Sequence, residues 1–241
     1  MERDKRTHGL AIFLAVICLV LPASGQQSWE KKNYKQWSMA DVVRILDDSP
    51  WAQTQIERVS INYGLPANSY TAVIRLRSAL PIRQALVRRR QLGVNYDKFS
   101  AADKTRFDAD VKEFLECTDC AKYYLVTLVS PVTTGLTDSV SVDVVDTLRG
   151  LSLAELKPHV YLTNDRGERS YLVGYIPTKG EGSEAMFVFP RFDEQGKPFL
   201  TPENKKFSFT IEEKVYEKRS IPLKKFTFEV SRIVRNGEVI F

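Results

Sequence analysis

The C-terminal stretch "KKFTFEVSRIVRNGEVIF" (224–241) decides the fold class. Phe226 and Phe228 alternate with polar residues, which is the period-two pattern of a half-buried strand. The dipeptide Asn236-Gly237 then separates two apolar runs, and Asn-Gly in that position is the strongest short signal for a β-hairpin. The stretch therefore predicts antiparallel β-structure at this end of the chain.

The residues upstream repeat this pattern in short apolar runs separated by turn residues. The further strand candidates are "HVYLTN" (159–164), "RSYLVGYI" (169–176), "AMFVFP" (185–190) and "KFSFTI" (206–211). One helical interval, "SVDVVDTLRGLSLAEL" (141–156), is predicted before them. Several short strands spaced by turns are typical of a β-sandwich, so we expect a mainly antiparallel, sandwich-like part over 131–241.

Residues 26–130 predict helices mixed with strands. Ser38, with Asp41 three positions later, has the spacing of a helix N-cap with a carboxylate capping box. Further helices are predicted in "PIRQALVRRRQLG" (81–93) and "SAADKTRFDADVKEFLE" (100–116), and two strands precede them. The chain is therefore predicted to be α+β, as two parts or as one continuous unit.

The first 25 residues have the pattern of a secretory signal peptide. A basic start is followed by the short apolar run "LAIFLAVICLVLP" (10–22) and by the small residues Ala23-Ser24-Gly25. The run is shorter than the roughly 20 residues of a membrane span, so cleavage after Gly25 and no permanent span are expected. The mature protein is then periplasmic or extracellular, with a lipid anchor on Cys18 as the alternative.

Composition narrows the functional classes. The chain has 43% hydrophobic and 27% charged residues, which is ordinary for a folded protein, and 35 Lys and Arg against 30 Asp and Glu. This modest excess favours an anionic partner slightly and does not indicate nucleic-acid binding. Only His159 would remain after loss of His8 with the signal peptide, which excludes multi-histidine metal sites. No metal, cofactor or catalytic residue is predicted.

Cys117 and Cys120 lie between a predicted helix and a predicted strand. A redox Cys-x-x-Cys pair normally lies at a helix N-terminus, where the thiol pKa falls, whereas this pair follows a helix C-terminus and has Glu116 and Asp119 beside it. In an exported protein a structural disulfide is therefore expected. Free thiols and a redox pair remain the alternatives.

Between Arg58 and Tyr96 the sequence has seven arginines and no Asp or Glu, and the next segment is acidic. The basic and acidic helices could simply face each other through ion pairs. Alternatively, the basic helix presents an anion-binding face, for which the candidates are Arg83, Arg88, Arg89 and Arg90. Because successive helical residues turn by about 100°, we expect Arg89 at the margin of the buried side and Arg88 and Arg90 towards solvent.

Three stretches, "DDSPWA" (47–52), "RSALPIRQAL" (77–86) and "FTFEVSRIVRNGEVIF" (226–241), resemble a group of exported bacterial proteins of acidobacterial type, similar to GWxTD-domain-associated sequences. The similarity is scattered along the chain, and the GWxTD tetrad itself is absent. The resemblance implies export and a domain type, and it implies no known activity or catalytic residue.

These observations favour a non-enzymatic binding or structural protein of the bacterial envelope or secretome. Its partner would be an envelope protein or an anionic ligand of unknown identity. The alternative is an enzyme of unrecognised type that uses carboxylates such as Asp47 and Asp48, or the arginine-rich face. Converging carboxylates in a pocket would favour the enzyme, and an exposed arginine surface would favour binding.

Overall fold

The computed structural model describes residues 28–59, 68–130, 140–142, 145, 148–179, 184–212, 215 and 225–241. The predicted signal peptide and Cys18 lie outside these residues. The helices are α1 (Met39–Asp47), α2 (Leu80–Gly93), α3 (Ala101–Glu116), α4 (Leu153–Leu156) and α5 (Val230–Ile233). The strands are β1 (Ala52–Val59), β2 (Asn68–Leu76), β3 (Tyr123–Val129), β4 (Val140–Val142), β5 (Val160–Asn164), β6 (Arg169–Tyr171), β7 (Gly174–Ile176), β8 (Ala185–Pro190), β9 (Lys206–Ile211), β10 (Phe226–Glu229), β11 (Val234–Arg235) and β12 (Glu238–Val239). The predicted α+β class is confirmed.

The longer helices begin where their capping residues predict. The Ser38 hydroxyl accepts a hydrogen bond from the Asp41 amide at 3.1 Å, and the Asp41 carboxylate accepts one from the Ser38 amide at 3.0 Å, which completes a capping box on α1. The Ser100 hydroxyl caps α3 by accepting a hydrogen bond from the Asp103 amide at 3.2 Å. Pro81 lies in the first turn of α2, where its missing N–H is not needed.

The strands form two principal sheets. Sheet I has the order β1-β2-β3-β8-β7, and β4 pairs in parallel with the start of β2. Sheet II has the order β10-β9-β5-β6 and is antiparallel throughout. The predicted hairpin at Asn236-Gly237 joins β11 to β12, and both turn residues have the positive φ that this turn requires (53° and 79°).

Sheet I takes strands from both predicted parts of the chain. β3 lies before residue 130 and β8 lies well after it, yet the two pair in register from Tyr123↔Pro190 to Leu128↔Ala185. The predicted strand "RSYLVGYI" is in fact two strands, since β6 belongs to sheet II and β7 to sheet I. The predicted helical interval at 141–156 is wrong at its start, where Val140–Val142 is a strand, and among its described residues Leu153–Leu156 forms an α-helix.

The two sheets pack face to face through aromatic side chains. Phe187 and Phe189 of sheet I lie 5.2 and 6.1 Å from Phe209 of sheet II, measured between ring centroids. One buried apolar cluster runs from Trp29 to Phe241, and the Phe241 ring lies 4.2 Å from that of Tyr124. The aromatic alternation in the sequence therefore marks the core of a sandwich that includes both halves of the chain.

The other face of sheet I is turned towards the helices. Side chains alternate between the two faces of a strand, and the register aligns Arg75, Thr127, Met186 and Ile176 across four neighbouring strands. A second, smaller apolar cluster centred on Phe107 packs α3 against α2. A cleft remains between these helices and the row of four side chains.

Candidate functional site

The cleft between sheet I and helices α2 and α3 has a volume of about 740 Å³. Its floor is the row of aligned side chains on sheet I, and its walls come from α2 and α3. The residues that line it are Arg75, Arg77, Leu86, Val87, Arg89, Arg90, Asp110, Val111, Phe114, Thr127, Val129, Ile176, Pro177, Lys179, Glu184 and Met186. Clefts of this size commonly bind small molecules.

The lining is strongly cationic. Five basic side chains face two carboxylates, so the described residues of the cleft carry three more positive than negative charges. The basic side chains are Arg75, Arg77, Arg89, Arg90 and Lys179, and the carboxylates are Asp110 and Glu184. An uneven charge on low-dielectric walls concentrates counter-ions in a cleft, which here favours anions.

Arg75 is a fixed part of the cleft floor. Its side chain is buried, and its Nε donates to the Leu46 carbonyl oxygen at 2.7 Å. Its two terminal nitrogens donate to Asp47 at 2.9 Å and to Glu184 at 2.8 Å. Arg77 donates to the second oxygen of the same Glu184 carboxylate. Two carboxylates, Asp47 and Glu184, thus balance the charges of Arg75 and Arg77, and the excess positive charge lies elsewhere in the lining.

Arg89 is a cation of the lining that the protein leaves available. Its side chain is exposed, and it makes no hydrogen bond or ion pair with the residues that the structure describes. Partial burial lowers the pKa of Arg89, and the nearby charge of Arg75 lowers it further, while Glu184 opposes the change. Since these causes disfavour its positive charge, an anion bound beside Arg89 would be stabilised.

The other half of the lining is apolar. Phe114 on α3 lies beneath Arg77, whose guanidinium carbon is 5.1 Å from the ring centroid. Leu86 and Met186 are half-buried in the lining, and Ile176 on β7 is 47% exposed. On the floor, the buried hydroxyl oxygen of Thr127 has no hydrogen-bond partner in the described structure. The site therefore offers charge and apolar surface together.

Arg88 is not part of this surface, and the expectation that it faces solvent is wrong. It is 5% exposed. Its Nε donates to the Trp37 carbonyl oxygen at 2.9 Å, and its two terminal nitrogens each donate to Asp97 at 3.1 Å. The reason is that the segment before α1, through Trp37, and the turn after α2, through Asp97, cover this side of α2, whereas Arg89 and Arg90 stay exposed.

Arg83 is also internal. It donates to the carbonyl oxygens of Ser78 and Leu115 and lies 3.3 Å from the Cys120 sulfur. Burial, followed by repulsion from Arg191 and Arg77, lowers the pKa of Arg83 to about 10, so the group is still charged at neutral pH. Arg83 lines a smaller pocket of about 440 Å³ that continues from the cleft past Arg77 and Phe114. Its donors are committed to the protein itself.

The predicted disulfide is confirmed: the sulfur atoms of Cys117 and Cys120 are 1.96 Å apart. Cys117 ends α3 with a left-handed backbone (φ 45°), and a short 3-10 turn at Thr118–Ala121 leads into β3. The bond therefore fastens the end of one cleft wall to the start of a floor strand. This position suits a structural role.

The carboxylates proposed for an enzyme do not converge. Asp47 is bound to Arg75, whereas Asp48 is an exposed residue at the C-terminal end of α1. Among the described residues, no group of three or more histidine, cysteine or acidic side chains could hold a metal ion. Within the same residues, no helix has both the length and the apolar character needed to cross a bilayer.

Comparison with known proteins adds no relative. The chain matches no protein-family model, no curated protein and no solved structure. The arguments on function therefore rest on the cleft itself.

Sequence reasoning identified two of the cleft's five cations, Arg89 and Arg90, as anion-binding candidates. Arg75 and Arg77 were visible as members of the arginine run, and strand alternation places both on one face. Lys179 and Glu184 come from a distant part of the chain, and no local pattern connects them to α2. The pairing of β8 with β3 brings Glu184 to the arginines.

Proposed function

We propose that this protein is a non-enzymatic binding protein that holds an anionic ligand in the cleft between sheet I and helices α2 and α3. The observation that carries the proposal is the convergence of five cations against two carboxylates, with Arg89 making no ion pair among the described residues. Arginine suits such a site because its planar guanidinium binds carboxylates and phosphates through two hydrogen bonds.

The state of Glu184 supports binding over catalysis. A general base needs a carboxylate that is available for a proton, and both Glu184 oxygens accept hydrogen bonds from arginine side chains. The second carboxylate, Asp110, lies on the helical wall. The lining therefore offers an anion several donors, while its shared carboxylate is already engaged.

We propose in addition that binding takes place outside the cytoplasm, in the periplasm or beyond the cell. The signal-like first 25 residues and the disulfide support this location, because disulfides persist in oxidising compartments. Mass measurement of the exported protein tests it. A chain that begins near Gln26 is expected, and a retained leader or a lipid on Cys18 would contradict the proposal.

The binding proposal is tested by calorimetric titration with citrate and with inorganic phosphate at low and high salt. The wild-type protein should bind both anions, more weakly at high salt because charge attraction is screened. Arg89→Gln should weaken binding by about tenfold, since a hydrogen bond to a charged group contributes about 1.5 kcal/mol or more. The matched control is Arg106→Gln, which removes an exposed arginine from α3 outside the cleft.

Two results would overturn the proposal. One is the absence of binding of either anion to the folded wild-type protein. The other is equal weakening by Arg89→Gln and Arg106→Gln, which would show that overall charge rather than the cleft attracts the anion.

A further inference from the structure

We infer that the ligand is amphiphilic: a single alkyl or acyl chain that ends in one phosphate or carboxylate group. The inference rests on the proposed function and specifies the class of anion. It follows from the order of side chains on the cleft floor, from the apolar surface that the cleft leaves exposed, and from the position of its cations.

The floor changes from charged to apolar across the sheet. The register aligns Arg75 with Thr127, Thr127 with Met186, and Met186 with Ile176. Neighbouring strands lie about 4.8 Å apart, so these three steps span roughly 14 Å. Along that distance the residues of the floor change from arginine through threonine to methionine and isoleucine. A ligand that matches this floor is charged at one end and apolar at the other.

The charged end of the ligand belongs where the side chains of Arg75 and Arg77, which come from the end of β2, meet Glu184, the residue before β8. Both arginines donate to Glu184, so they are oriented before a ligand arrives. Arg89 is close enough to Arg75 and Glu184 for their charges to shift its pKa, and it has no hydrogen bond or ion pair of its own among the described residues. Asp47 and Glu184 balance Arg75 and Arg77, so the charge of Arg89 remains for one further anionic group, which Arg89 would bind.

The apolar end belongs at the β7 side and along the α3 wall. Ile176 is 47% exposed, and Met186, Leu86 and Phe114 are only half-buried. A small inorganic anion would leave all four side chains in contact with water. An alkyl chain would cover them, and the removal of apolar surface from water is the main favourable contribution to binding such a chain.

The test is a series of ligands with one phosphate and a growing chain: inorganic phosphate, then ethyl, butyl and octyl phosphate below its micelle concentration. Affinity for the wild-type protein should rise by about twofold to fourfold per methylene, the upper value being that of a fully buried methylene. Octanoate should bind in the same manner. Ile176 is 47% exposed, so the lower value is expected for the methylenes that lie near it.

Variants separate the two ends of the ligand. Arg89→Gln should lower the affinity for every member of the series by the same factor. Ile176→Ser and Met186→Gln should reduce the gain per methylene, measured as the ratio of octyl phosphate affinity to inorganic phosphate affinity. The matched control is Ile56→Ser, because Ile56 is exposed on β1 and does not line the cleft. Circular dichroism and thermal unfolding establish that each variant is folded.

Each outcome decides between the two proposals. Phosphate binding without a chain-length effect overturns the amphiphilic ligand and leaves the anion-binding cleft intact. A chain-length effect that Ile176→Ser and Met186→Gln do not change also overturns it, since the chain then lies elsewhere. Capture by phosphatidylglycerol vesicles without binding of monomeric octyl phosphate would indicate adsorption to a membrane surface instead. No binding of any phosphate or carboxylate would overturn the anion-binding function itself.

Discussion

Helix α2 has two sides that use the same residue type for opposite purposes. On the interior side, Arg83 and Arg88 are buried and donate to backbone carbonyl oxygens and to Asp97. On the cleft side, Arg89 and Arg90 are exposed and line the anion-binding cleft. Arg88 and Arg89 are adjacent in sequence, but a helix turns by about 100° per residue, so their environments differ completely. A run of basic residues is therefore not one surface.

The interior arginines connect segments of the chain. Arg88 joins α2 to the Trp37 carbonyl just before α1, and Arg83 joins it to the Leu115 carbonyl near the end of α3. These carbonyl groups lie at or near helix ends, where they lack helical partners. The arginines therefore act as structural links. The comparison predicts that replacing them lowers the free energy of unfolding, whereas replacing their cleft-side neighbours lowers the affinity for the ligand.

The largest effect is expected for Arg88→Met. The change keeps much of the side-chain volume but leaves the Trp37 carbonyl and Gln91 without this donor. We expect the free energy of unfolding to fall by about 2–3 kcal/mol, the usual cost of a buried polar group that loses its partner. Urea denaturation measures this change. Arg90→Met is the matched control and should change stability by less than about 0.5 kcal/mol.

Equal effects of Arg88→Met and Arg90→Met would contradict the division of α2 into two sides. It would mean that Arg88 exchanges its interior partners for solvent at little cost. The structure argues against this because Arg88 is 5% exposed and both of its terminal nitrogens are bound to one carboxylate.

The next largest loss of stability is expected when the disulfide is removed, which lies against the interior side of α2. Replacing Cys117 and Cys120 by serine should lower the free energy of unfolding by about 2 kcal/mol, the chain-entropy value for so short a loop. Denaturation with and without reductant measures it: reductant should weaken the wild-type protein and leave the variant unchanged.

A double-mutant cycle with the same variant tests whether Arg83 and the disulfide stabilise the protein independently. Arg83 lies 3.3 Å from the Cys120 sulfur, so the effects of Arg83→Met and of cysteine replacement should not add. Cysteine replacement and Arg90→Met should add, because Arg90 contacts Phe107 rather than the disulfide. Additive effects at Arg83 would show that the arginine and the disulfide stabilise the protein independently.

A smaller effect is expected in acid at Asp97. The hydrogen bond from Arg88 holds the pKa of Asp97 below its ordinary value of 3.8. A carboxylate with a lowered pKa in the folded protein contributes stability that is fully present above pH 3.8 and is lost as pH falls through the folded value. Asp97 is largely exposed, so the contribution is below about 1 kcal/mol. Denaturation midpoints of wild type and Asp97→Asn should therefore converge in acid, and a constant difference would contradict the role of its charge.

The sequence predicted the features that short-range chemistry determines. The Ser38 cap, the Asn236-Gly237 turn and the disulfide each depend on residues within a few positions of one another, and all three are present. The burial of Arg88 could not be predicted in this way. It depends on the segment before α1 and on the turn around Asp97, which cover a side of α2 that its own periodicity does not show.

The strands show the same limit. "RSYLVGYI" has a continuous strand pattern, but Leu172 is fully buried at the point where the chain leaves sheet II and enters sheet I. Nothing local distinguishes this crossing from an uninterrupted strand. The lining of the cleft is hard to predict for the same reason. Ile176 and Glu184 reach it through the pairing of β7 with β8 and of β8 with β3.

The smallest effect on stability is expected on the cleft side, at Arg89. Its charge is disfavoured by partial burial and by Arg75, and it has no hydrogen bond or ion pair with the described residues. Arg89→Gln should therefore change the free energy of unfolding by less than about 0.5 kcal/mol, with a gain at low salt that shrinks at high salt as repulsion is screened. Urea denaturation at two salt concentrations measures both quantities. Arg106→Gln, which removes an arginine paired with Asp103, should give no such salt-dependent gain.

A loss above about 1 kcal/mol in Arg89→Gln would place Arg89 with Arg88 among the structural arginines. A gain in stability combined with a loss of phosphate affinity would instead mark Arg89 as a residue whose unfavourable position is maintained for its ligand.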